Sequence, residues 1–286
     1  MPGGLDHVVH AVRDLDAAAE LYRRLGFTVG ARNRHAWGTH NHLVQFPGFF
    51  IELLTVAEPE KLGSDGFSAL FGTFNRIFLK DREGFSLLIL ESDDATTDAA
   101  RFRAAGISVS EAMRFEREGK RPDGSTVKVG FSLAFARDAK APAIGFAACQ
   151  QHFPENFWNP KFQQHPNTAN AIEAAVLVAE KPSDHRAFLS AFAGVRTTTA
   201  TSSSITASTP RGDIKVMNRA AFRNRFGTEP PDTSHGARLA AIQLRVRDGN
   251  ALGTALQAGG IAASSIGSAT IVAPAIARGA TLVFDS

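Results

Sequence analysis

The sequence predicts an α+β fold made of four βαβββ modules. Three observations carry this: a unit that occurs four times, a glycine after each short helix, and strand-like alternation in the segments behind each helix. The first copy runs Leu5 to Val12, Asp14, a helix through Leu25, then Gly26-Phe27. The second runs Phe85 to Glu91, Asp94, a helix through Ala105, then Gly106-Ile107. The third runs Ile172 to Val178, Ser183-Asp184, a helix through Ala193, then Gly194-Val195. The fourth runs Leu239 to Val246, Asp248, a helix through Ala258, then Gly259-Gly260-Ile261. Asp or Ser at the strand exit caps the helix start, and Gly accepts the left-handed conformation at its end. Helices of about ten residues are not stable alone in water, so each must pack on strands.

Those strands come directly after each helix. In unit one they are Thr28 to Ala36, Asn41 to Phe46 and Phe49 to Val56, with Pro47-Gly48 as a tight turn. Unit two offers Ser108 to Arg117, Thr126 to Ala136 and Ile144 to Gln151, with Arg121-Pro122-Asp123-Gly124 as a hairpin turn. Unit three has Thr197 to Ser208, Asp213 to Met217 and a polar helical stretch near Arg219 to Phe226; unit four has Ala269 to Val272 and Thr281 to Phe284. Two stretches break the rhythm. Glu58 to Lys80, with Phe67, Phe71, Phe74 and Phe78, is either a lid or a packed connector, and the connector is the simpler reading. Phe153 to Asn170 suits an ordered loop between halves, which divides the chain into domains 1–169 and 170–286.

At 286 residues, 44% hydrophobic and 21% charged, the chain supports two ordinary globular cores. Twenty-two Phe against one Tyr and two Trp points to apolar interiors. A single cysteine, no signal-like segment and no apolar run of about 18 residues lead to the expectation of a cytoplasmic protein without a membrane partner. The net charge of +3 comes from dispersed Arg and Lys, including Arg114 to Arg121, and reads as a solvated surface. No nucleic-acid-binding motif or phosphate-binding loop accompanies it.

His7 sits on the first strand and Glu52 inside the apolar run Phe49 to Leu54, where a carboxylate needs a partner or a proton. The last strand of unit two ends in Gln150-Gln151-His152, and Gln150 and His152 share a face. If units one and two pair pseudo-symmetrically, His7, Glu52 and Gln150 or His152 converge into a set that suits a divalent metal; the alternative is separately hydrogen-bonded histidines. Thr39 and Asn41 share one face of the third strand, Gln150 lies on the last strand of unit two, and Trp158, His165 and Asn167 lie in the interdomain loop; all six are candidate substrate contacts. Cys149 is expected to face away from this site. No serine-nucleophile elbow is present.

Leu5-Asp6-His7-Val8-Val9, His35 to Asn41, Ile51-Glu52-Leu53 and His165-Pro166-Asn167 resemble the vicinal oxygen chelate superfamily, and within it the glyoxalase-like domain proteins. The resemblance implies modules paired into two cup-shaped mixed sheets, with metal ligands from first and fourth strands. It assigns His7 and Glu52 as metal ligands, with His152 or Gln150 completing the set, because unit two has Leu87 at the first-strand position. The matching positions of units three and four are Ala175 and Ala241, so the C-terminal half reads as a degenerate copy. The implied function is a metal-dependent lyase or isomerase that uses Zn, Ni, Mn or Fe to chelate a small oxygenated substrate, with Glu52 as base. A metal-free protein that sequesters a small molecule is the alternative. The expected partners are the small-molecule substrate and a second copy of the chain.

Overall fold

The computed structural model describes residues 3–120 and 124–286, so the turn expected at Arg121 to Gly124 lies mostly outside the described residues. Unit one is β1 (Leu5–Ala11), α1 (Leu15–Arg24), β2 (Asn33–Arg34), β3 (Thr39–Phe46) and β4 (Phe49–Val56). A connector comes next, containing a π-helical turn at Ser68–Thr73 that runs into α2 (Phe74–Asp81). Unit two is β5 (Gly84–Glu91), α3 (Ala95–Ala104), β6 (Ser108–Val109), β7 (Met113–Lys120), β8 (Thr126–Arg137) and β9 (Gly145–Gln151). After the short α4 (Pro154–Phe157), unit three is β10 (Ala169–Val178), α5 (Arg186–Ala193), β11 (Thr199–Ala200), β12 (Ser204–Ser208) and β13 (Asp213–Met217), with α6 (Arg219–Phe226) behind it. Unit four is β14 (Arg238–Val246), α7 (Gly249–Ala258), β15 (Ser264–Ile266), β16 (Ala269–Val272) and β17 (Thr281–Asp285).

Asp14, Asp94 and Asp248 cap α1, α3 and α7 through their carboxylates, as the repeat predicts. Unit three departs from it: Pro182–His185 forms a 3-10 turn and α5 starts without a side-chain cap. The long first strand predicted after α1 shrinks to Asn33–Arg34; Gly30 N–H donates to the Leu43 carbonyl on β3, but no ladder forms there.

The units pair as expected. The first sheet has the order β2-β3-β4-β1-β5-β9-β8-β6, with β7 also on β8. The second repeats it as β11-β12-β13-β10-β14-β17-β16-β15. In each sheet the two first strands meet antiparallel at the centre, flanked by parallel last strands.

The helix-covered faces of both sheets share one core. It runs from Leu5, Tyr22, Phe102 and Phe146 to Phe192, Ile242, Leu252 and Phe284. Units one and four meet through α1 and α7, and units two and three through α3 and α5, where Phe102 stacks on Phe192 at 5.5 Å. Gly26, at φ +81°, ends α1 and lies where a Cβ would sit 2.8 Å from Asn167 and 2.9 Å from Ala255. The opposite, concave face of each sheet holds its own separate cluster. No helix of the described residues is long and apolar enough to cross a membrane.

Candidate functional site

Alternation along β1 sends Val8 into the shared core and His7 and Val9 into the first cup, while a register shift between Leu5 and His7 turns Leu5 into the core as well. The parallel register with β4 sets His7 beside Phe50 and Val9 beside Glu52. The His7 ring stacks on Phe50 with centroids 4.2 Å apart. Its Nδ1 lies 2.5 Å from Asp6 Oδ2, and its Nε2 points to Glu52 Oε2 at 4.0 Å. Asn41 Nδ2 donates to Glu52 Oε1 at 2.6 Å, and Asn33 Nδ2 donates to Asn41 Oδ1 at 2.9 Å. On the other side, Gln151 Nε2 donates to Asp6 Oδ1 at 2.9 Å. A chain of polar side chains therefore crosses the sheet from β9 to β2, and Asp6, His7, Asn41 and Glu52 are all buried. The Nδ1 contact with Asp6 fixes the orientation of the His7 ring and turns Nε2 toward Glu52.

Burial pushes the Glu52 carboxyl up, against the opposing pull of His7, Asn41 and Arg117. A carboxylate in this setting accepts a proton more readily than one in water. Burial, and secondarily the charge of Arg117, pushes His35 down to about 3, so its ring is neutral at physiological pH.

Around these groups lies a narrow cavity of about 50 Å³ with aromatic walls that include Trp37, Phe50, Phe115 and Phe131, and with Arg117 at its edge. Phe67 and Phe71 come from the connector and form part of the lining, so this segment covers the cup as well as linking the units. Trp37 stacks between His35 and Phe67 at 4.6 and 5.0 Å, and its buried indole N–H has no hydrogen-bond partner. Of the predicted contacts on β3, Asn41 lines the cavity. Thr39 sits behind it, with its hydroxyl 2.8 Å from His35 Nδ1.

Several sequence expectations need correction. Gln150 and His152 do share a face, but it is the face turned away from the cavity. Gln150 accepts from the Ala95 amide at the start of α3, and His152 pairs with the Ser132 hydroxyl at 2.7 Å. The residues of β9 that turn inward are Cys149, which lines the cavity with its thiol pushed well up by burial, and Gln151. His165 and Asn167 are latches rather than substrate contacts. His165 accepts from the Thr28 amide and donates to the Gln45 carbonyl, while Asn167 bridges Leu25 and Ala169. Trp158 packs edge-on against Phe50 at 6.0 Å, outside this cavity, and lines the groove beside it. Sequence reasoning passed over Asp6, which lies next to His7, and Arg117, which sits in a basic run that reads as solvated.

The metal set that the resemblance implies does not fit these residues. The helix caps Asp14 and Asp94 align His7 with Leu87 and hence Val9 with Ile89. Val9 pairs with Glu52 on β4, and Ile89 pairs with Ala147 on β9. The four ligand positions are therefore His7, Glu52, Leu87 and Ala147, and only two carry donors. Among the described residues no three His, Cys, Asp or Glu side chains form a cluster that could hold an ion. Arg117 brings a fixed positive charge to the same cavity.

The family model described as a glyoxalase-like domain matches residues 5–192, about two thirds of the chain and all of the cup just described. The chain belongs to the glyoxalase-like domain family. Its fold is that of the vicinal oxygen chelate superfamily. A hypothetical protein from Staphylococcus aureus superposes on this glyoxalase-like chain with a TM-score of 0.70 at 14% identity, over 99% of this chain and 98% of the other. A mutant 4-hydroxymandelate synthase from Streptomyces coelicolor gives a TM-score of 0.56 at 13% identity, over 93% and 78%. A xylose isomerase-like TIM barrel/4-hydroxyphenylpyruvate dioxygenase fusion protein gives 0.56 at 12%, over 99% of this chain and 48% of that one. These likenesses concern the fold. No curated protein matches the sequence.

Proposed function

We propose that the N-terminal cup is a proton-transfer site for a small oxygenated acid and works without a metal ion. The observation that carries this is the buried chain Gln151–Asp6–His7···Glu52–Asn41, which faces an aromatic cavity with Arg117 at its edge. Glu52, its carboxyl pushed up by burial, accepts a proton from the carbon next to the substrate carbonyl. The electrons left on carbon move onto the carbonyl oxygen, and the Arg117 guanidinium stabilises that enolate. His7, oriented by Asp6, presents Nε2 to Glu52 and holds the polar chain in register. The step is shared by isomerases, which return the proton to carbon, and lyases, which expel a leaving group. It replaces the metal-dependent route that the family resemblance implies.

The test is exchange of the C3 protons of 2-oxobutanoate in deuterium oxide, monitored by NMR with EDTA present. Wild-type protein is expected to accelerate exchange, and Glu52→Gln to abolish it. Exchange lost to EDTA and restored by zinc would return the site to metal chemistry. Binding without exchange would make the cup a sequestering site.

A further inference from the structure

Beside the cavity runs a groove of about 570 Å³ that shares Leu43, Arg117 and Phe157 with it. Arg117 thus stands at the junction of the two spaces. Away from that guanidinium the groove has an apolar wall of Val127, Val129, Trp158, Pro160 and Phe162, and Glu155 and several amide side chains also line it. Phe162 is 36% exposed, one of few large apolar side chains facing water among the described residues. Gly119 lies on the wall in the interior of β7, where glycine weakens a strand. Its φ is outside the left-handed range, so the backbone does not require glycine there. A methyl group at Gly119 would meet only side-chain atoms, the nearest a Val129 methyl at 3.1 Å. That approach is tighter than an ordinary contact, and glycine avoids it while leaving this point of the groove wall bare.

The cavity itself, at about 50 Å³, has room for little more than the reacting atoms of a substrate. We infer that the groove is the second compartment of the same site and takes the aliphatic tail of an oxo acid. The carboxylate of that acid rests on Arg117, and its reactive carbon enters the cavity. This inference rests on the proton-transfer reading for the chemistry of the head group, while the tail is argued from the groove alone. The arrangement agrees: a cation marks the junction, and one continuous apolar wall leads away from it. The substrate class is therefore an amphiphilic 2-oxo acid, not a compact one.

Equilibrium binding of 2-oxobutanoate, 2-oxohexanoate, 2-oxooctanoate and 2-oxodecanoate, read by calorimetry, tests this. Affinity should rise about four-fold per added methylene until the groove is full. Gly119→Leu and the surface substitution Phe162→Ala should each flatten that slope, while Arg117→Gln should weaken every member alike. Equal affinity along the series, or a slope unchanged in both groove variants, would overturn the inference. The exchange assay separates the two readings. A chain-length slope without proton exchange removes the chemistry and keeps the groove; exchange without a slope removes the groove.

Discussion

The two cups have the same strand order and opposite contents. In the first, the concave face carries His7, Glu52 and Asn41 beneath a cover formed by the connector. In the second, the corresponding face presents Ala174, Val176, Ala241 and Val283, and α6 lays Phe222 and Phe226 directly on it. The polar residues kept there satisfy one another: Lys215 donates to Gln243, which donates to Asp285. In the first cup the chain from β9 to β2 leaves Nε2 of His7 and one Glu52 oxygen facing each other at 4.0 Å, beyond hydrogen-bond reach. A sheet whose cup is filled by its own helix needs no ligand. One that buries an incompletely paired carboxylate bears a cost in stability that points to a use.

Four experiments can break or sharpen that contrast. The largest effect is expected from Glu52→Gln, which should reduce proton exchange by at least about 100-fold. Asp6→Asn should reduce it about 10- to 100-fold by disturbing the orientation of the His7 ring, with a changed pH–rate profile. Exchange at wild-type rate in both would erase the difference between the cups.

The second experiment rebuilds the missing donors. Leu87→His with Ala147→Glu should raise the metal content of purified protein from background to about one ion per chain, measured by elemental analysis. Wild-type protein that already carries one ion per chain would contradict the two-donor reading.

The third concerns the plug. Phe226→Ala should destabilise the protein by about 3–5 kcal/mol in chemical denaturation, because the side chain is fully buried against the second sheet. Ligand binding in the first cup should not change.

The fourth uses pH. His10, His35 and His165 are held neutral by burial, near about 4, 3 and 4 respectively, and all precede residue 170. A histidine with a depressed folded pKa is protonated first in the unfolded chain. Its contribution is present above about pH 6.5 and is lost as pH falls towards 4, by up to about 3 kcal/mol for His10 or His165. Hydrogen exchange at about pH 5 should therefore rise in β1–β4 before β13–β17. Glu52 acts in the opposite sense. Its raised pKa means that the folded state loses stability as pH rises through the carboxylate range. Glu52→Gln should melt higher than wild type near pH 7 and match it near about pH 4. This is the smallest effect, about 1 kcal/mol.

Much of the fold was legible because its signals are local. Asp14, Asp94 and Asp248 cap helices within three residues of themselves, and Gly26 ends a helix by its own backbone freedom. His7 and Glu52 stood out because polar groups in apolar strands require partners. The face of β9 was not legible. Alternation says that Gln150 and His152 lie together, but not which side of the sheet is concave. A choice of the wrong side exchanges Cys149 and Gln151 for Gln150 and His152. Arg117 was hidden for a related reason: in a run of arginines, only the path of β7 over the cup selects the one that lines the cavity with Glu52.

The sequence by itself determined the four modules, the Asp caps of α1, α3 and α7, and the unequal survival of donors between the first unit and the rest. These come from propensity, capping and the cost of a buried charge, all written within a few neighbouring residues. Only the tertiary structure decided that Asp6 and Gln151 complete the polar chain, that Leu87 and Ala147 empty the metal set, and that α6 fills the second cup. Those facts depend on strand register and on which face curls inward, and both are set by contacts between segments far apart in the chain.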